Sequence, residues 1–283
     1  MDELFIDRIR RLSRPFAAQS CEIDAVLPKL SGIKAVIFDI YGTCFMSGSG
    51  DIGVSTADPK VEALSESLKE QGVELPDDLA EDALARFYEL IKLDHEQTRR
   101  QGIEYPEIRI LDIWEQWRRE AQVQVNVSQL AIDVECRLNP VWPMPGLEAC
   151  LDQLRESGLQ LGVVSNAQIF TPCLFPALTD RSLVDFGFEP KNCVWSWMGK
   201  EAKPSVHLYE KVLESFPDLK AQECLYVGND MRNDIAPASK TGMKTALFAG
   251  DQRSLRLREG DPLVGDLKPD GVVTDLRQLQ NCF

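Results

Sequence analysis

The chain has 283 residues, 44% hydrophobic and 27% charged, which supplies enough apolar material for one or two compact domains. Its net charge of −14 sets the surface against phosphate backbones and anionic lipid heads, so nucleic acid and membrane surfaces are poor partners. A small anionic substrate stays open, because a metal ion or a few basic groups reverse the field locally.

In chain order, residues 1–32 read as one amphipathic helix and a linker. Acidic residues interrupt the N-terminus, and no apolar run of signal-peptide length follows it. No stretch approaches the ~20 apolar residues a membrane helix needs. A cytoplasmic location is expected. The eight cysteines form no C-x-x-C pair and are expected as free thiols in a reducing compartment. Only His95 and His207 occur, which excludes a multi-histidine metal site.

Residues 33–38 are a continuous apolar run, the pattern of a strand buried on both faces of a parallel sheet. A Gly/Ser-rich segment, 47–53, leads into a different pattern. Leu64 and Leu68, then Leu79, Ala83, Phe87, Leu90 and Ile91, then Ile110, Ile113, Trp114 and Trp117, then Leu130, Val134 and Leu138 form four helical stripes. Residues 53–140 are therefore expected as an inserted all-helical domain, with Pro140, Pro143 and Pro145 marking its exit. Strand-like runs return at 160–165, 193–197, 224–228, 243–248 and 271–274, separated by helical spacings such as Leu147, Leu151, Leu154. That alternation predicts an α/β fold with a doubly wound parallel sheet, built from 33–52 and 141–283.

Four short segments lie at the C-terminal ends of predicted strands, the edge where open α/β sheets bind ligands. They are FDIYGT (38–43), VVSNA (163–167), KPSVHLY (203–209) and VGNDMRND (227–234). An aspartate closing a buried strand is costly without partners. The other segments offer a hydroxyl, an ammonium and further carboxylates.

In this order, with a helical insertion after the first segment, the four resemble the motifs of the haloacid-dehalogenase superfamily, whose type-1 cap occupies that gap. The resemblance implies a Rossmann-like core and a hydrolase with Asp39 as nucleophile, forming a covalent aspartyl intermediate. A desolvated, oriented carboxylate is competent for that role. Thr43 and Ser165 match hydroxyl positions that hold the transferring group, with backbone donors in the Gly42 turn and the Asn166 amide as further substrate contacts. Lys203 matches the lysine that reduces repulsion between Asp39 and an anionic substrate; Lys200 is a rival three residues away. Asp230 and Asp234 match the acidic pair, and converging carboxylates call for a hard divalent cation such as Mg²⁺. The implied shell is Asp39, the Tyr41 carbonyl and Asp230, with Asp234 orienting a water or Lys203. Many members carry an acid directly after the glycine, where this chain has Asn229. The register between Asn229 and Asp230 stays open, and Asp230 is favoured because only it is ionised.

Tyr41 stands where phosphatases of the superfamily carry a general acid. The D-x-Y-G-T form resembles 2-haloacid dehalogenases, whose departing halide needs no proton. The leading expectation is a Mg²⁺-dependent phosphatase acting on a small phosphorylated metabolite. The alternatives are a metal-independent 2-haloacid dehalogenase and a binding or regulatory protein that kept the fold. A homodimer is left open. In the cap, His95, Arg99, Arg100, Tyr105, Glu107 and Arg109 cluster in a segment that reaches the site if the cap closes. Trp114 and Trp117 are expected in the cap core.

Overall fold

The computed structural model describes residues 2–48 and 57–283. Helix α1 (Asp2–Leu12) precedes strand β1 (Ala35–Phe38) and the short β2 (Phe45–Ser47). Four helices follow: α2 (Ala57–Lys69), α3 (Asp77–Arg100), α4 (Ile110–Ala121) and α5 (Val127–Leu138). The remainder alternates: β3 (Val141–Pro143), α6 (Leu147–Glu156), β4 (Gln160–Ser165), α7 (Leu174–Leu178), β5 (Phe188–Trp195), α8 (Ser196–Gly199), α9 (Val206–Glu214), β6 (Cys224–Gly228), α10 (Ala236–Lys240), β7 (Lys244–Phe248) and β8 (Gly271–Val273). From residue 49 on, the Gly/Ser-rich segment expected at 47–53 lies outside the described residues. Among the described residues no helix is long and apolar enough to cross a membrane. All eight cysteines are unbridged.

The main sheet is six-stranded in the order β5-β4-β1-β6-β7-β8, with every neighbouring pair parallel. Strand β1 explains the continuous apolar run. Val36 and Phe38 point into one layer with Leu151, Leu154 and Phe175, while Ala35 and Ile37 point into the other with Leu208, Val212 and Tyr226. Both faces are covered, so no polar alternation appears in the sequence. Removing a ring such as Phe38 from this packing costs about 3–5 kcal/mol. The chain leaves β1 toward β4 on one side and β6 on the other. That reversal opens a crevice above the C-terminal end of β1.

Helices α2–α5 pack about a core of their own, with Leu64, Leu68, Trp114, Trp117 and Leu130 at its centre. Trp117 donates its indole N–H to the Ala83 carbonyl at 2.8 Å. Leu79, expected on the apolar stripe of α3, is exposed instead. Strand β5 runs 188–195 rather than 193–197, because Ser196 already starts α8. The antiparallel β2–β3 pair, at the root of the helical insertion, was not anticipated. Three residues each are too short to leave a periodicity.

Helix α1 bridges the two parts. Arg8 grips the fully buried Asp133 of α5 through two hydrogen bonds, 2.6 and 2.8 Å, and also bonds Glu70 at the end of α2. Phe5 of the same helix meets Phe170 of the sheet domain edge-on at 5.9 Å. Arg10 bonds the carbonyls of Pro176 and Ala177.

Candidate active site

Three strand ends place the central cluster. Asp39 follows β1, Lys203 lies on the segment before α9, and Asp234 lies on a π-helical turn (Met231–Ile235) after β6. The Lys203 Nζ donates to Asp39 Oδ1 at 2.7 Å and to Asp234 Oδ1 at 2.6 Å. All three side chains are nearly fully buried. Burial alone disfavours the Lys203 ammonium, but two adjoining carboxylates outweigh it and hold its pKa above the ordinary value. Burial pushes the Asp234 carboxyl up to about 7, against the pull of Lys203. One ammonium thus faces two carboxylates, of which Asp234 is the one that burial drives toward its neutral form.

Lys203, not Lys200, meets Asp39. Lys200 instead pairs with Asp94 of α3 at 2.7 Å. Asn166 accepts the Lys203 backbone N–H at 2.7 Å and so ties the segment after β4 to the lysine. Gly42 turns with φ +86°, and a Cβ there would lie 2.7 Å from Asn229 Nδ2. Only glycine lets these two segments meet so closely.

Other candidates lie behind the cavity wall. Thr43 is fully buried and donates its hydroxyl to Asn229 Oδ1 at 3.0 Å, and Asn229 Nδ2 donates to the Ser254 carbonyl at 2.6 Å. Ser165 is also fully buried. Asp230 lines the cavity, yet its carboxylate is engaged. Oδ1 accepts the N–H groups of Arg232 and Asn233, and Oδ2 accepts Arg258 Nη2 at 2.7 Å. The sequence carried no sign of Arg258, which lies 28 residues on.

Mg²⁺ requires oxygen donors. Asp39, Asn229 and Asp230 share the cavity and supply oxygen only, which suits the ion. Among the described residues, however, no three His, Cys, Asp or Glu side chains are gathered as a metal cluster. Asp230 would have to exchange Arg258 for the ion.

The Tyr41 phenol is half-buried and lies against Thr171, with hydroxyl oxygens 3.0 Å apart. Burial, then the charge of Glu135, holds it well above its ordinary pKa. It keeps its proton at neutral pH and serves poorly as acid or base.

The helical part roofs a cavity of about 530 Å³ above Asp39. Of the cap residues singled out in the sequence, His95 and Glu107 line it; Arg99, Arg100, Tyr105 and Arg109 do not. Burial and Arg99 lower the His95 pKa, which favours the neutral ring. Glu107 Oε2 accepts the Ser196 hydroxyl at 2.8 Å, and Oε1 accepts the Gln168 amide at 3.2 Å. Two backbone bonds, Glu107 N–H to Lys200 and Ala202 N–H to Tyr105, close the same seam at 2.9 and 2.8 Å. Trp114 belongs to the cap core and also faces the cavity. Glu135 and Gln168 went unnoticed in the sequence. Glu135 had a signal: with Ala131, Val134 and Leu138 it completes an i, i+3, i+4, i+7 face, on which it is the one charged residue.

A family model described as haloacid dehalogenase-like hydrolase matches residues 33–242. Among curated proteins, a glyceraldehyde 3-phosphate phosphatase of Pyrococcus abyssi is 32% identical over 105 residues, 37% of this chain and 42% of that relative's length. Among solved structures, a 2-haloacid dehalogenase of Pseudomonas syringae superposes with TM-score 0.56 at 18% identity, over 88% of this chain and 97% of that one. A HAD phosphatase of Thermococcus onnurineus gives 0.51 at 19% identity, over 88% and 96%. At such identities the two structures speak for the fold alone.

Proposed function

The chain belongs to the haloacid dehalogenase-like hydrolases, and we propose that it is a Mg²⁺-dependent phosphatase of small phosphorylated metabolites with Asp39 as nucleophile. The observation that carries the reading is the Asp39–Lys203–Asp234 cluster at the central strand end, enclosed beneath the cap. An Asp39 oxygen attacks phosphorus, an aspartyl phosphate forms, and the ester P–O bond breaks with its electron pair on the leaving oxygen. Water then attacks the phosphoryl group, the Asp39–phosphorus bond breaks, and inorganic phosphate leaves. Lys203 holds Asp39 in orientation while offsetting charge on the arriving phosphate. A further carboxylate, Asp230, in the same cavity supports a need for Mg²⁺, which would be held by Asp39, the Tyr41 carbonyl and Asp230. When bound, the ion supplies charge neutralisation at the phosphoryl oxygens. The partial likeness to a curated phosphatase agrees with this reading.

Two observations favour a second reading, a 2-haloacid dehalogenase. Tyr41 leaves no carboxylic acid to protonate a leaving oxygen, and Asp230 is already neutralised by Arg258. There Asp39 would attack the halogen-bearing carbon, expel halide and form an ester that water cleaves.

The test is a panel of phosphate monoesters and short 2-haloacids, assayed with Mg²⁺ and with EDTA on the wild type and Asp39→Asn. Phosphate release that needs Mg²⁺ and vanishes in Asp39→Asn is expected. Halide release that persists in EDTA would overturn the phosphatase reading.

A further inference from the structure

The cavity above Asp39 is mostly hydrocarbon. Phe87, Ile91, Trp114, Val134, Leu138 and Phe170 contribute to its wall, and the Phe87 and Trp114 rings stack at 3.9 Å. Hydroxyl groups laid against this part of the wall would lose water without partners there. This part suits a ligand with an apolar body.

Polar side chains also line the cavity, His95, Glu107 and Gln168 among them, and Glu135 is one of these. The Glu135 carboxyl projects from α5 into this wall and lines the same cavity as Asp39 and Tyr41. Its one hydrogen bond among the described residues is a long one, 3.4 Å, from Asn139 Nδ2 to Oε1. Asn139 is itself held by the Ser47 hydroxyl at 2.6 Å. Among the described residues no cation pairs with Glu135. Burial accordingly raises its pKa. Carboxylates that are buried for structural reasons in this protein look different: Asp133 has the two-pronged grip of Arg8, and Asp234 has Lys203. Glu135 has a countercharge missing and open space in front of it, and the catalytic steps above make no use of it. A half-buried ionisable group in a cleft without a countercharge points to a ligand contact.

We propose that Glu135 receives an ammonium group of the substrate, and that the substrate is a phosphate monoester of an amino alcohol with an apolar body between amine and phosphate. The inference rests on the phosphatase reading and names its substrate class. The ammonium completes the ion pair that Glu135 lacks, the hydrocarbon lies along the Phe87–Trp114 wall, and the phosphate meets Asp39 and Lys203. The chemistry also discriminates. A phosphate ester with an uncharged alkyl body leaves Glu135 unpaired, and a second anionic group is repelled by it.

The experiment compares aminohexyl phosphate with n-hexyl phosphate, matched in length, on the wild type and Glu135→Gln with Mg²⁺ present. The wild type should favour the amine at least tenfold in kcat/KM, and Glu135→Gln should bring that ratio to about one. The ratio within one protein is independent of any general loss in the variant. A wild type without the preference, or a variant that retains it, overturns the assignment. 4-Nitrophenyl phosphate separates the two ideas: no phosphate release from it sinks the phosphatase reading itself. Calorimetry with the two corresponding phosphonates then decides on Glu135. A tenfold tighter wild-type Kd for the amine, lost in Glu135→Gln, upholds the ammonium site. Equal affinities, or no binding of either, end it.

Discussion

If Asp230 holds the ion, as proposed, replacing Arg258 by methionine should tighten Mg²⁺ binding, because Arg258 and the ion would compete for one oxygen of Asp230. Arg258 Nη2 lies 2.7 Å from Asp230 Oδ2, and its Nε lies 3.2 Å from both carboxylate oxygens. The Asp230 side chain is 9% exposed and that of Arg258 29%, so solvent screens the pair only in part. A charge-assisted contact of this kind is worth about 1–2 kcal/mol. Since 1.4 kcal/mol is tenfold in affinity, the Mg²⁺ Kd should fall by about tenfold. The carboxylate should keep its orientation, because Oδ1 still accepts the backbone N–H groups of Arg232 and Asn233. Calorimetric titration of Mg²⁺ into the wild type, Arg258→Met and Asp230→Asn measures the effect directly, without turnover. Asp230→Asn should weaken binding. Unchanged or poorer affinity in Arg258→Met would mean that Asp230 does not reach the ion and that the register of the fourth motif is misread.

Three further outcomes follow from other contacts. Burial raises the Glu107 pKa above its ordinary 4.5, so ionising it in the folded protein is disfavoured and wild-type stability should fall as pH rises through that raised value. Glu107→Gln removes this dependence, and the difference in Tm should move in the variant's favour between pH 4 and 8; a constant difference would mean the carboxyl titrates normally. Asp133→Asn leaves the buried Arg8 short of one countercharge, which should cost about 3 kcal/mol. A melt should show Tm lower by about 6 °C or more, and a shift below about 2 °C would show that Glu70 alone satisfies Arg8. Tyr41→Asp restores a carboxylic acid beside the leaving oxygen, and general acid catalysis contributes ~10²–10⁴-fold. Alkyl phosphates should gain at least tenfold while aryl phosphates, with good leaving groups, change little; equal effects on both would place Tyr41 away from the leaving group.

How much of this was readable from the chain depends on the range of each interaction. The doubly buried β1 announced itself because both of its layers select apolar residues, leaving an unbroken run at 33–38. Asp39, Lys203 and Asp234 stood out because each closes or follows a strand that the sheet brings to one edge, so local pattern and topology carry the same message. The competition at Asp230 left no such trace. Whether its carboxylate faces a metal or an arginine depends on Arg258, from the loop between β7 and β8, and no periodicity reports a loop's return path. Glu107 was visible as one of several polar residues in a cap segment, but its partners Gln168 and Ser196 belong to the other part of the molecule.

The same distinction bears on specificity. On the proposed reading the reacting group would meet residues at strand ends, whose positions the parallel sheet dictates. The rest of the substrate would meet α3, α4 and α5, which line the cavity and whose inward faces also hold the cap together. Trp114 does both, being stacked on Phe87 within the cap core and facing the cavity. An apolar stripe on a cap helix therefore reads the same whether it packs on a neighbour or on a ligand. What separates the two uses is a polar residue the cap core alone would reject. Glu135 is such a residue, placed on the face of Ala131, Val134 and Leu138 where burial disfavours its charge and packing gains nothing from it. Its presence there is accounted for by a ligand that brings the opposite charge.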